Sequence, residues 1–272
     1  MNEPVVSRPV IHRRGGSQRT VDDPVVVEEP IEIRIDDTPI AVLMRTPGND
    51  DELVRGFALT EGIALTPSEI SAIDNLGEGR FRLVFSEGTT VDPEQFRRNL
   101  YATSSCGVCG KASIDAVRIT ARSPSPGPVI PASVISSLPD MLASAQPSFD
   151  LTGGNHAAAA VTADGALVAT REDIGRHNAV DKVIGLIAED GWPVVHPLLF
   201  VSGRVSFEIV QKAAVAGFAI VAGVSAVSSL AVELAEELGL TVLGFVRGRD
   251  FNVYTHPHRV ADSGGEKPES AS

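Results

Sequence analysis

Leu198-Leu199-Phe200-Val201, Ala219-Ile220-Val221-Ala222-Gly223-Val224 and Thr241-Val242-Leu243-Gly244-Phe245-Val246 are three short, almost wholly apolar runs. Runs of this length without polar alternation read as strands buried on both faces. Between them, residues 206–216 have a helical pattern stopped by Gly217, and residues 228–238 have another stopped by Gly239. Strand–helix–strand–helix–strand predicts a parallel sheet covered by helices. The expected fold class is therefore α/β, with a helix-covered, mainly parallel sheet in the C-terminal part and a smaller α+β subdomain ahead of it.

Working outward, residues 178–189 predict a helix with Val180, Val183, Ile184 and Ile187 on one face. Residues 157–162 and 166–170 flank Ala163-Asp164-Gly165 as a hairpin, and a helix starts at Ser137-Leu138-Pro139-Asp140. Ser123-Pro124-Ser125-Pro126-Gly127-Pro128 carries the strongest linker signal of the chain. Ahead of it, Ile31, Ile33 and Ile35 alternate with charges, Asp36-Asp37-Thr38-Pro39 turns, and residues 40–44 return as a second strand. Asn49 reads as an N-cap before the acidic Asp50, Asp51 and Glu52, and Thr66-Pro67-Ser68-Glu69 reads as a capping box opening another short helix. Phe81, Leu83 and Phe85 alternate as a strand, and Asp92-Pro93 opens a helix. The expected organisation is a flexible arm over 1–23, an N-terminal unit over 24–122, a linker over 123–129, an α/β unit over 130–258 and a disordered tail over 259–272.

The chain has 272 residues, is 43% apolar and carries a net charge of −12. Such a charge argues against nucleic acid or an anionic membrane as the main partner, because both depend on released counterions. A local arginine cluster can still hold a small anion. No run approaches a membrane span. Arg13-Arg14 is followed by the polar Gly15-Gly16-Ser17-Gln18-Arg19-Thr20 rather than an apolar export segment. A cytoplasmic location is expected.

Both cysteines lie in Cys106-Gly107-Val108-Cys109-Gly110-Lys111. A CxxC of this kind supports disulfide exchange, metal binding or carriage of sulfur. A redox pair belongs at a helix N-terminus, whereas this one follows a helix. A zinc site needs two further ligands, for which His156 and His177 are the histidines in motif-like segments. A sulfur carrier needs an exposed, mobile nucleophile, which the glycines serve, with Lys111 and Arg97 or Arg98 to favour the thiolate. Elsewhere, Arg171, Arg176 and His177 beside a helix start suggest a phosphate site; the alternative reading of the same run is that Asp173 and Asn178 merely cap and Asp181 or Lys182 is solvated. Ser202-Gly203-Arg204 and Phe245-Val246-Arg247-Gly248-Arg249-Asp250 follow the ends of buried strands, where open α/β sheets bind ligands.

Taken together, Asn49-Asp50-Asp51-Glu52-Leu53-Val54-Arg55-Gly56-Phe57, Cys106-Gly107-Val108-Cys109-Gly110, Gly153-Gly154-Asn155-His156-Ala157-Ala158-Ala159, residues 172–182, Ser206-Phe207-Glu208-Ile209-Val210-Gln211-Lys212 and Phe251-Asn252-Val253-Tyr254-Thr255 resemble the formate dehydrogenase accessory sulfurtransferase family of FdhD type. The resemblance spans about residues 24 to 258. It implies an enzyme that accepts sulfane sulfur from a cysteine desulfurase as a persulfide on Cys106, with Cys109 as accessory thiol. That sulfur would pass to the molybdenum of bis-molybdopterin guanine dinucleotide, the cofactor of formate dehydrogenase. It further implies that Phe245, Val246, Arg247, Gly248, Arg249 and Asp250 bind that cofactor. His156, Arg176, His177 and Arg204 are candidates for the same task. A cytidine deaminase-like C-terminal fold and a homodimer are also implied, and no metal of the protein's own is expected. The alternative is a zinc-binding, deaminase-like protein using Cys106, Cys109 and His156, although no glutamate follows that histidine as a deaminase needs.

Overall fold

The structure is a computed structural model, and it describes residues 3–97, 127–195 and 197–261. The N-terminal part opens on an antiparallel hairpin, β1 (Val5–Arg14) and β2 (Ser17–Val26). Next come β3 (Glu29–Ile35), β4 (Thr38–Arg45), helix α1 (Asp50–Thr60), β5 (Ile70–Gly77), β6 (Arg80–Phe85) and a single turn of helix, α2 (Glu94–Arg97). These strands form a four-stranded sheet in the order β4-β3-β6-β5, in which only β3 and β6 run parallel. Ile31, Ile33 and Ile35 all point to one face, as their alternation predicts. There they bury Leu53, Val54 and Ala58 of α1 together with Phe81 and Leu83.

The C-terminal part contains β7 (Ile130–Pro131), α3 (Ala132–Ala143), α4 (Pro147–Thr152), β8 (His156–Val161), β9 (Leu167–Asp173), α5 (Arg176–Ile187), β10 (Leu198–Val201), α6 (Phe207–Ala216), β11 (Ile220–Gly223), α7 (Ser229–Leu238), β12 (Thr241–Arg247), β13 (Asp250–Val253) and β14 (Val260–Ala261). Its main sheet has six strands in the order β13-β12-β11-β10-β8-β9. The apolar runs do form its centre, and both faces are covered. Leu199 and Val201 face α5, α6 and α7, while Leu198 and Phe200 face Ile135, Leu138 and Leu142 of α3. Helix stops also fall as expected: Gly217 and Gly239 take φ of 99° and 78°, the left-handed conformation that a C-terminal cap requires. The Ser228 side chain caps α7 by accepting from the Ala231 N–H at 3.3 Å.

The sheet is not mainly parallel. Only the β10–β11 and β11–β12 pairs are parallel, whereas β8, β9 and β13 join antiparallel. Helical crossovers enforce parallel pairing only where they occur. The β8–β9 and β12–β13 connections are tight turns, so each adds an antiparallel margin. Four local expectations also change. Residues read as an arm without sustained period form the β1–β2 hairpin. The Thr66–Glu69 capping box yields only a 3₁₀ turn, Pro67–Glu69, because Glu69 Oε2 accepts from the Leu65 N–H at 2.7 Å and the chain then extends into β5. Helix α3 starts five residues before the predicted position, and it tolerates Pro139 in its interior. Asn49 sits at the N-cap of α1 with φ 57° and makes no capping hydrogen bond.

The two parts are joined by a close helix pair. A Cβ placed on Gly56 of α1 would lie 1.8 Å from the Asp181 carbonyl oxygen, and one on Gly185 of α5 would lie 1.9 Å from that of Glu52. Only glycine permits this approach. Arg171 of β9 reinforces it with a two-pronged pair to Glu52, at 2.5 and 2.7 Å. Among the described residues, no helix is long and apolar enough to cross a membrane.

Candidate functional site

One end of the six-stranded sheet collects the polar residues. Strands β10, β11 and β12 deliver their carboxyl ends there. Because β8 runs antiparallel to β10 and β9 antiparallel to β8, His156 at the start of β8 and Asp173 at the end of β9 arrive at the same end. Helices α5, α6 and α7 begin there too, so three positive helix ends face this edge. The layer order thus converts distant segments into one electropositive rim on an acidic protein.

His156, Arg176, His177 and Arg204 meet at this rim. A Cβ on Gly203 would come within 3.4 Å of both His156 Nδ1 and Arg176 Cδ, so the missing side chain leaves the two residues side by side. The Ser202 hydroxyl accepts from the Ala157 N–H at 2.9 Å and lies 3.4 Å from His156 Nδ1. With its acceptor role used, the hydroxyl has its proton to offer to that nitrogen. Burial lowers the pKa of His156, and the charges of Arg176, His177 and Arg204 lower it further against a smaller opposing pull from Asp173. A neutral imidazole is therefore held among cations.

His177 is held differently. Its Nε2 lies 2.6 Å from Glu208 Oε2 and 3.4 Å from the Ser206 hydroxyl. Burial opposes ionisation of Glu208, but His177, then Lys212 and Arg176, outweigh it and keep the carboxyl below its ordinary range. An ionised Glu208 accepts from Nε2–H, and this fixes which ring nitrogen carries the proton.

Beneath the rim lie two buried polar networks that the sequence reading did not anticipate. Asp173, fully buried, receives Lys182 Nζ at 2.8 Å, the Thr46 N–H at 3.2 Å, the Gly175 N–H at 2.8 Å and Asn178 Nδ2 at 3.0 Å. Lys182 Nζ also donates to the Thr46 carbonyl at 2.9 Å, and the Thr46 hydroxyl donates to Asn155 Oδ1 at 3.0 Å. In the second network, Lys212 Nζ reaches Asp181, Thr60 and Glu61 at 2.8, 2.9 and 3.0 Å. Burial opposes the charge on Lys212, yet Asp181 and Glu61 overcome it and raise its pKa. Asp181 and Lys182 are thus core residues, not solvated ones. Arg171, expected beside Arg176 in a phosphate site, is instead committed to Glu52. Asn178 is not a cap: Gly175 stands at the N-cap of α5, where no side chain caps, and the Asn178 amide instead donates to the Met44 carbonyl at 2.8 Å and to Asp173.

The segment Phe245, Val246, Arg247, Gly248, Arg249 and Asp250 occupies the same sheet end, with β11 between it and β10. His156 lies one strand further on, at the start of β8, which places the segment roughly 14 Å from it by strand spacing. Val246 is buried in the core, so its side chain faces away from solvent. Phe245 takes φ 53° at the point where the β12–β13 register slips, and the Arg247 guanidinium lies 5.8 Å from its ring centre. Arg247 Nε also donates to the Val224 carbonyl at 3.3 Å. Gly248 and Arg249 form the exposed two-residue turn into Asp250. Cys106 and Cys109 lie outside the described residues, as do Lys111 and Arg98. Among the described residues, no group of three His, Cys, Asp or Glu side chains could hold a metal.

Comparison with known proteins follows the same outline. The FdhD/NarQ family model matches residues 26–261. A protein named sulfur carrier protein FdhD from Streptomyces avermitilis is 47% identical over 267 residues, covering 93% of this chain and 95% of the relative. Its namesake from Sulfolobus acidocaldarius is 42% identical over 248 residues, covering 91% and 95%. A crystal structure described as a formate dehydrogenase accessory protein from Desulfotalea psychrophila superposes with a TM-score of 0.76 at 24% identity, over 95% of this chain and all of that one. That likeness supports the fold alone.

Proposed function

The chain belongs to the FdhD/NarQ family, and on that premise we propose that it is a sulfur carrier serving the maturation of formate dehydrogenase. In this reading the Cys106 thiolate attacks the terminal sulfur of a persulfide on a cysteine desulfurase. The donor's S–S bond breaks, the donor leaves as a thiolate, and Cys106 holds the sulfur as Cys–S–SH, with Cys109 as the accessory thiol. The acceptor is the molybdenum of bis-molybdopterin guanine dinucleotide, bound as cargo. Residues 24–122 carry the sulfur and residues 130–258 hold the cargo, in a cytoplasmic homodimer with a cytidine deaminase-like C-terminal unit.

The observation that carries the cargo half of this reading is the convergence of Arg176, Arg204, His156 and His177 on a rim lined with helix N-termini. Such a rim suits phosphate oxygens. Phe245, Arg247, Arg249 and Asp250 along the same edge are suited to the cofactor's planar and hydrogen-bonding parts. The carrier half is tested by mass spectrometry of the peptide spanning Cys106 and Cys109 after incubation with a cysteine desulfurase and cysteine. A gain of one sulfur atom is expected. Stoichiometric zinc on those cysteines and no sulfur gain would overturn the reading in favour of a metal site.

Anion binding at the rim should depend on pH. The depressed pKa of His156 leaves it neutral near pH 7. On acidification below the ordinary histidine value of about 6.5 it gains a charge beside Arg176 and Arg204. Sulfate, which does not itself titrate in this range, should bind more tightly as pH falls, and the gain should be lost as pH rises back through the folded-state pKa. His156→Gln should flatten that component. Titration of sulfate by NMR at several pH values checks it, and an unchanged pH profile in the variant would refute the assignment.

A further inference from the structure

Helices α5 and α6 pack together and both begin at the rim. Neither has a side-chain cap: Gly175 and Ser206 stand at their N-caps without a capping hydrogen bond, whereas Ser228 caps α7. The second residue of each uncapped helix is ionisable, His177 in α5 and Glu208 in α6. Their side chains meet, with His177 Nε2 2.6 Å from Glu208 Oε2. An acidic residue in a first turn serves the helix dipole without any such partner, so the contact asks for a further account.

The pair is asymmetric. The Glu208 side chain is 12% exposed, and its second oxygen, Oε1, is buried without a hydrogen-bond partner among the described residues. The His177 side chain is 26% exposed. Its Nε2 is taken by Glu208, with the Ser206 hydroxyl at 3.4 Å, and its Nδ1 has no hydrogen-bond partner among the described residues. Nδ1 is therefore the nitrogen left to a ligand. The groups around the pair are Lys212 on α6, Arg176 on α5, His156 on β8 and Arg204 after β10, while Asp173 on β9 is already matched by Lys182. Such surroundings favour an anion. The ring's own form then follows. A neutral imidazole has one N–H and one lone pair. With Nε2–H given to Glu208, a neutral ring would turn the Nδ1 lone pair on the anion's oxygen, two acceptors face to face. Only the imidazolium donates to both sides at once.

We propose that His177 meets a bound oxyanion as an imidazolium, with Nδ1–H on the anion and Nε2–H on Glu208, and that Glu208 is the positioning residue for this contact. The inference rests on the anion-holding rim of the proposed function and names the pair that fits it to a phosphate oxygen rather than to an uncharged carbonyl. The two imidazoles of the rim then differ in role: His156 is the neutral one, and His177 carries charge to the ligand.

Sulfate is the probe for the test, because it does not itself titrate. The full chain, isotopically labelled in histidine, is saturated with sulfate at about pH 8, above the ordinary histidine value, and the ring nitrogens are observed by NMR. His177→Asn identifies the signals of His177 by their loss. In the wild type both nitrogens of that ring should carry protons. Glu208→Gln should leave the ring neutral and weaken sulfate binding about tenfold, the scale of one hydrogen bond to a charged group. If Glu208 served only the dipole of α6, Glu208→Gln would melt lower with ring form and affinity unchanged, and the proposal would be overturned. A neutral His177 in the sulfate-bound wild type would overturn it too, and would leave the anion rim standing. That measurement needs no change at Glu208, so it decides even where Glu208→Gln does not fold. A wild type that binds no sulfate would overturn the rim and, with it, the role of the pair.

Discussion

Replacing Cys106 with alanine should abolish sulfur loading and with it the activation of formate dehydrogenase, while leaving the melting transition of the protein where it was. The expected loss is complete because alanine leaves no atom that can attack a persulfide. Binding and orientation by the remainder of the chain cannot replace a missing nucleophile in a step whose product is a covalent intermediate. Cys109→Ala is the informative companion. If Cys109 is accessory, that variant still gains one sulfur by mass and loses only part of the downstream activity. Two readouts are needed, the intact mass after incubation with a desulfurase and cysteine, and formate dehydrogenase activity in cells carrying each variant. A Cys106→Ala strain with full formate dehydrogenase activity would remove Cys106 from the mechanism. A variant that no longer melts cooperatively would show that the residue serves the fold.

Much of the architecture was legible because local pattern and tertiary role coincide. Leu198–Val201 is a strand with the predicted bounds because four apolar residues between polar segments can satisfy both faces of a covered sheet only in that way. Gly217 and Gly239 end helices because each takes a backbone conformation that favours glycine. The sheet's mixed direction was not legible. A hairpin and a crossover contribute similar apolar runs, and only the length and path of the connection tell them apart. Of the rim, Arg176, His177 and Arg204 are legible as basic side chains next to helix starts or strand ends, and strand order brings His156 beside them. The residues beneath were missed for a definite reason. Lys182, Asp181 and Lys212 have the side chains of solvated positions, and their partners lie far off in sequence. Lys182 meets the Thr46 carbonyl across 136 residues, and Asp181 meets Thr60 across 121. No window along the chain contains both halves of either network. A dense run of charge such as residues 171–182 can therefore read as surface and still be core.

Those networks make the two parts of the chain one mechanical unit. Thr46, Thr60 and Glu61 come from the N-terminal part, and Asp173, Asp181, Lys182 and Lys212 from the C-terminal part. Breaking one partner of a buried pair costs more than the pair contributes, since the survivor is left charged and unpaired. His177 and Glu208 stand close above Lys212, which also helps to hold Glu208 ionised. The rim is therefore set on a base that both parts share, so a shift of the N-terminal part relative to the sheet would be felt at the rim.

A large effect on stability is expected from Gly185→Ala, at the same joint. An added Cβ would lie 1.9 Å from the Glu52 carbonyl oxygen and 2.8 Å from the Gly56 nitrogen, both backbone atoms that no rotamer change can move aside. Helices α1 and α5 would have to separate by more than an ångström. That separation would stretch the Arg171–Glu52 pair and pull Thr60 away from Asp181, so the cost is steric and electrostatic at once. Helix propensity works the other way, since alanine in place of a mid-helix glycine stabilises by about 1 kcal/mol. Overpacking of a rigid contact typically costs about 1–3 kcal/mol and can cost more. With the two networks disturbed as well, the net loss should reach about 3 kcal/mol, which for a chain of this size lowers the melting temperature by roughly 6–12 °C. Gly56→Ala should behave alike, because its Cβ would meet the Asp181 carbonyl oxygen at 1.8 Å. Combining the two should cost less than the sum, since one separation of the helices relieves both clashes. Denaturant and thermal unfolding of the three variants measure this directly. A Gly185→Ala protein as stable as the parent would mean that the two helices do not pack this closely in solution, and the buried networks that depend on their contact would then need to be redrawn.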